Sequence, residues 1–100
     1  MNIANVDLNL LVYLDVLLRE KNVTRAAEEL GISQPAMSNG LKRIRELFSD
    51  PILVRTSDGM TPTERAKELQ PLIRSVINAS EQVILPKSSF DPKSSNRIFR

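Results

Sequence analysis

The chain has 100 residues, a net charge of +2, 26% charged and 41% hydrophobic residues, and neither cysteine nor histidine. That size fits one small domain with an extension. The missing residue types exclude disulfides, thiolate chemistry, zinc sites built on Cys or His, and histidine-based acid–base catalysis.

No apolar run approaches the ~20 residues that span a bilayer. The first residues lack the basic region and small-residue cleavage site of a signal peptide. A cytoplasmic protein without a membrane partner is therefore expected. Met1 to Val6 is a short leader, and Asp7 is expected as the N-cap or a first-turn acid of a first helix. Leu8, Leu11, Leu14, Leu17 and Leu18 recur at i, i+3 and i+4 steps and predict its core face. The helix ends near Arg19 to Lys21, where cations suit the negative end of the helix dipole.

The stretch Val23 to Phe48 reads as two helices joined by a tight turn. Thr24 is expected to open the first, and its helix N-terminus is a candidate phosphate site, with Arg25 a weaker one. Gly31 stands where a helix C-terminus favours positive φ. Ser33 can cap the second helix, with Pro35 tolerated in the first turn. Met37, Leu41, Ile44 and Phe48 predict its core stripe. The other face carries Gln34, Pro35, Ser38, Asn39, Lys42, Arg43 and Arg45: a polar nose followed by cations. Such a helix suits entry into a major groove.

Each of these residues also has a plainer reading as capping or solvated surface. Gln34 and Ser38 are placed for base edges, adenine being the best bidentate match for Gln34, and Pro35 for a thymine methyl. Ser33 can serve both the cap and a phosphate at the helix N-terminus. Asn39 stands between base and phosphate or water contact. Lys42 and Arg43 read as phosphate anchors, and Arg45 as either an anchor or a partner of nearby acids.

Pro51 breaks the helix at Asp50. Ile52 to Thr56, the Ser57-Asp58-Gly59 turn and Met60-Thr61 predict a short hairpin with Arg55 near its tip. Arg55 either protects an edge strand or enters a minor groove beside the reading helix. Thr61 and Pro62 are expected as the cap and first residue of a last helix running to Leu85, ~35 Å long. Leu69, Leu72, Ile73, Val76, Ile77, Ser80, Val83 and Ile84 keep one face apolar past the reach of the preceding body, so a second copy is expected on it. From Pro86 the sequence turns polar and reads as a linker, and Arg97 to Arg100 alternate like the first strand of a further domain.

These residues resemble the N-terminal domain of LysR-type transcriptional regulators. The resemblance rests on Ala26 to Ser38 with Leu41 and Arg45, and on the wing Leu53-Val54-Arg55-Thr56, Gly59 and Met60-Thr61-Pro62. It covers nearly the whole chain. Thr63 and Glu64 stand where many members carry an Ala-Gly pair. The wing and linker look most like the aromatic-catabolism and nodulation regulators of the family.

The resemblance implies a mainly α fold: a winged helix-turn-helix of three helices and a two-stranded wing, then a long dimerisation helix. The divisions are 1–61 for the DNA-binding domain, 62–86 for the linker helix, and 87–100 for a hinge and the start of an effector-binding domain. It implies a homodimer on double-stranded promoter DNA at an interrupted inverted repeat, and a tetramer of the full protein. No cofactor is expected in this portion, and a small co-inducer is implied for the further domain. The alternative is a helical protein-interaction module whose basic face meets an acidic protein. No converging carboxylate pair supports an enzyme.

Overall fold

In the computed structural model, residues 1–85 are described, so the expected hinge and second-domain start at 87–100 lie outside the described residues. A 3₁₀ turn, Ile3–Asn5, precedes helices α1 (Asn9–Glu20), α2 (Val23–Leu30) and α3 (Gln34–Phe48). The hairpin strands β1 (Leu53–Thr56) and β2 (Gly59–Pro62) follow, and α4 (Glu64–Ile84) closes the series. This is the mainly helical winged helix-turn-helix expected from the sequence, with a long helix after the wing.

Leu8, not Asp7, is the N-cap of α1; Asp7 stands one residue before it, its Oδ1 accepting from the Asn9 N–H at 3.0 Å. Leu14, Leu17 and Leu18 are buried as expected, joined by Leu10 and Val16. Leu8 is not core: it is 53% exposed, and Leu11 is only half-buried. The reason is positional. Both residues line an open groove between the start of α1 and the far half of α4, where no other described element covers them.

Helix α2 begins earlier than Thr24. Lys21 adopts a left-handed turn at φ 54°, which leaves Asn22 extended, and Asn22 Oδ1 accepts from the Arg25 N–H at 2.8 Å. Asn22 is therefore the cap, and Thr24 sits one residue inside the helix. At the other end Gly31 takes φ +70° and donates to the Ala27 and Glu28 carbonyls. Ser33 Oγ accepts from the Ala36 N–H at 3.2 Å and Pro35 lies in the first turn of α3. Ala26 and Ala27 join Met37, Leu41 and Ile44 in the core, with Phe48 half-buried against it. Helices α1 and α3 come close together at Gly40, where a Cβ would stand 2.5 Å from Tyr13 Cδ2.

The hairpin pairs Leu53 with Pro62 and Arg55 with Met60, and Ser57–Asp58 turns into Gly59 at φ +102°. Thr63, not Thr61, caps α4, and Pro62 ends β2 instead of starting the helix. Pairing with Leu53 holds Pro62 in the strand, and the next residue is then free to bend toward the body. Thr63 Oγ1 accepts from the Ala66 N–H at 3.1 Å.

Helix α4 divides its apolar face. Leu69 and Ile73, expected to meet a second chain, are buried in the chain's own core together with Ala66, and Ile77 is half-buried against it. Leu72, Val76, Val83 and Ile84 remain exposed, Val83 at 83%. A buried carboxylate, Asp15 on α1, receives Arg74 Nη1 of α4 at 2.7 Å. None of the described helices is long and apolar enough to cross a membrane.

Gly40→Ala tests the helix crossing. Overpacking against the Tyr13 ring is expected to cost about 1–3 kcal/mol, outweighing the ~1 kcal/mol that Ala gains over Gly in a helix. Thermal unfolding should show a lowered Tm.

Candidate nucleic-acid interface

At ~100° per residue along α3, Met37, Leu41 and Ile44 define the inward direction. Ser38, Lys42, Pro35 and Asn39 then fall within a sector of about 100° facing outward. All four are exposed, as are Ser33 and Gln34 at the helix start. Lys42, Pro35 and Asn39 therefore stand on the outward face, Ser38 marks its edge, and Gln34 lies ~40° further round on the side where the wing is attached. Thr24 and Arg25, in the first turn of α2, are exposed too.

The three cations of α3 have different surroundings. Lys42 points outward and makes no ion pair among the described residues. Arg43 turns toward α1, its Nη1 standing 3.3 Å from Asp7 Oδ2. Arg45 turns the other way and pairs with no acid among the described residues. Its Nε donates to the Pro51 carbonyl at 2.7 Å and its Nη2 to the Leu53 carbonyl at 2.9 Å, clamping the root of the wing to α3. The expected choice for Arg45 between phosphate and neighbouring acids is replaced by a structural task.

The wing root is fixed by a second contact. Asp50 Oδ2 accepts from the Ile52 N–H at 2.8 Å and from the Thr63 hydroxyl at 2.7 Å, while Asp50 N donates to the Arg45 carbonyl at 3.1 Å. Ile52 is buried at φ +66°, an unfavourable conformation for a β-branched residue. Hydrogen bonds on both of its backbone groups hold it there, the second running from Thr63 N to the Ile52 carbonyl at 2.9 Å. The Thr63 hydroxyl, and next the Ile52 N–H, keep the Asp50 carboxyl below its ordinary titration range.

Arg55 projects from β1 one rung below the turn, exposed and without an ion pair among the described residues. Thr56 Oγ1 lies 2.9 Å from Thr61 Oγ1 and 3.2 Å from the Gly59 carbonyl, stiffening the hairpin around it. Every residue expected at a nucleic-acid contact is thus on the surface: Thr24, Ser33, Gln34, Pro35, Ser38, Asn39, Lys42, Arg43 and Arg55. The sequence reading missed Asn22, Asp50 and the work of Arg45. Asp50 before Pro51 was a visible signal, since Asp commonly accepts from the N–H two residues on. Arg45 gave none, because its acceptors are carbonyls of another element. No cluster of metal-ligating residues occurs among the described residues.

A model of the family described as "Bacterial regulatory helix-turn-helix protein, lysR family" matches residues 8–67. The chain is 49% identical over 83 residues to the HTH-type transcriptional regulator SyrM 2 of Sinorhizobium fredii, covering 83% of this chain and 24% of that protein. It is 41% identical over 100 residues to Nodulation protein D 3 of Rhizobium leguminosarum bv. phaseoli, covering 100% of this chain and 33% of that one. The chain thus spans about a quarter to a third of the length of these curated relatives. Among solved structures, a probable transcriptional regulator, PA0477 from Pseudomonas aeruginosa, superposes with a TM-score of 0.77 at 36% identity, over 82% of this chain and 28% of that one. The BenM DNA-binding domain, solved in complex with catB site 1 DNA, shares the fold at a TM-score of 0.73 and 21% identity, over 92% of this chain and 99% of that one.

Thr63→Ala removes a helix cap and a bond to Asp50, and should lower stability by about 1–2 kcal/mol in denaturant melts. Because the folded chain lowers the Asp50 titration, the unfolded chain holds more protons near acid pH. The stabilisation is complete above the unfolded value near ~3.9 and fades as pH falls through the folded one. The stability gap between the wild type and Asp50→Ala should therefore narrow below about pH 4. Arg45→Met keeps the stem but loses both carbonyl bonds, and amide exchange should accelerate in the hairpin more than in α1.

Proposed function

The chain belongs to the lysR family of bacterial regulatory helix-turn-helix proteins, and from that premise we propose that it binds double-stranded DNA in a sequence-specific manner and regulates transcription. The observation that carries this reading is the exposed sector of α3, with Ser38, Asn39 and Lys42 unobstructed beside a braced wing that holds Arg55 outward.

In this reading α3 enters the major groove by its N-terminus. Gln34 and Ser38 meet base edges, Pro35 meets a thymine methyl, and Ser33 and Thr24 present helix N-termini to phosphates. Lys42 anchors a phosphate, and Arg43 does so by leaving Asp7 for it. Arg55 enters the flanking minor groove, and Asn39 completes the face. The reading head ends with the wing at Pro62, α4 (Glu64–Ile84) is the linker helix, and 87–100 lead toward an effector-binding domain that takes a small co-inducer.

A homodimer would form through the exposed part of α4, with Leu72, Val76, Val83 and Ile84 against a second copy and Ile77 at the edge. Two heads would then meet the halves of an interrupted inverted repeat, with tetramers in the full protein, acting on the nucleoid in the cytoplasm. Leu69 and Ile73 support this interface from beneath, since the core already covers them.

The test begins with selection of bound sites from random DNA, followed by titration of the selected duplex and a scrambled one at several salt concentrations. The wild type should prefer the selected duplex. Gln34→Ala should relax base preference at one position. Lys42→Ala should weaken binding to all sequences and flatten the salt slope by ~0.9 for the lost phosphate contact. Equal binding to both duplexes at moderate salt would overturn the reading.

A further inference from the structure

Among the described residues, the long helix is held to the reading head by directional contacts at two places. The first lies at its start, where Thr63 caps α4 and bonds Asp50. The second lies 11 residues later, ~16 Å along the helix, where Arg74 reaches Asp15 of α1. Between them stands Pro71, which has no N–H to give the Lys67 carbonyl and so weakens the helix at that turn. The other contacts, through Leu69, Ile73 and Ile77, are apolar and tolerate small sliding and tilting.

Arg74 is well suited to fix an angle. Its Nη1 donates to Asp15 Oδ2 at 2.7 Å, and its Nη2 donates to Asn78 Oδ1 at 3.2 Å on the next turn of α4. The guanidinium is thus held at both ends of its fork, and its planar geometry makes the contact directional. The Asp15 side chain is only 8% exposed and stands between the buried Leu14 and Val16, which makes a change of partner costly. Beyond Ile77 the described part of α4 leaves the core, and Val83 and Ile84 are exposed.

We infer that the Asp15–Arg74 pair locks α4 at the Pro71 joint, and thereby sets which half-site spacing a dimer of this chain accepts. The inference rests on the proposed reading of DNA by a dimer joined through α4. Its physical basis is leverage: a small tilt at Arg74 moves the head relative to the far half of the helix. One base pair of spacing shifts a half-site by ~3.4 Å and turns it by ~35°, so small tilts are read out as spacing. Asp15 and Arg74 act here as positioning residues, without touching DNA.

The experiment uses duplexes that carry two copies of the selected half-site, separated by gaps varied one base pair at a time, together with a single half-site duplex. The wild type should show one favoured gap, with affinity falling roughly tenfold at one base pair to either side. Asp15→Leu/Arg74→Met replaces the pair with apolar side chains of similar bulk, an exchange that commonly preserves folding. This variant should keep single half-site affinity within about twofold while the preference between neighbouring gaps falls to roughly threefold or less. Arg74→Lys keeps a cation opposite Asp15 but loses the fork, and should give an intermediate profile. Circular dichroism establishes that each variant is folded.

A folded double variant with the wild-type gap profile would overturn the inference while leaving DNA reading intact. A wild type that prefers no selected half-site would overturn the DNA reading itself, and the inference with it.

Discussion

One carboxylate, Asp50, holds together the three parts on which the surface of this protein depends. It follows the last turn of α3, bonds the backbone at the entrance to the wing, and takes the hydroxyl of the residue that caps α4. Arg45 reinforces the same junction from within α3 by binding two carbonyls of the wing root. A two-stranded hairpin of four-residue strands is marginal alone. Here its base is tied to the helix beside it, so Arg55 is presented at a fixed position relative to Ser38 and Lys42. The strained backbone of Ile52 fits this account, since strain of this kind persists only where neighbours over-determine it.

The charges of α3 show why a count of cations says little about a binding surface. Lys42, Arg43 and Arg45 lie within four residues, yet helical rotation sends them to solvent, to Asp7 and to the wing root respectively. The outward one is free for a phosphate. The second must give up an exposed ion pair, a small cost because such pairs contribute little. The third is committed to the fold.

Helix α4 combines two functions along one apolar stripe. Its first half completes the core with Ala66, Leu69 and Ile73, and its second half leaves Val76, Val83 and Ile84 in the open. The groove where that half passes the start of α1 is mainly apolar, lined by Leu8, Leu11 and Val12, with Asn9, Ser80 and Glu81 also on its wall. An apolar surface of this kind is suited to a partner helix. In the proposed dimer the same stripe would couple the rigidity of the head to the geometry of assembly.

What the sequence determined by itself depends on near neighbours. The glycine stop at Gly31, the Ser33 cap with Pro35 behind it, the core stripe of Met37, Leu41 and Ile44, and the hairpin around Asp58-Gly59 all rest on spacings of one to four residues. The polar nose of α3 was legible for the same reason, and with it the candidate reading face. Tertiary structure decided the rest. Asn22 displaced Thr24, and Thr63 displaced Thr61, because a left-handed residue in one case and strand pairing in the other set where each helix could begin. Leu8 lost its place in the core because the elements that bury α1 do not reach it, and Leu69 and Ile73 gained theirs because α4 folds back onto the body. Arg45 on the wing root and Arg74 on Asp15 were beyond local reading altogether. Their partners lie on other elements, brought within bonding distance only once the helices pack.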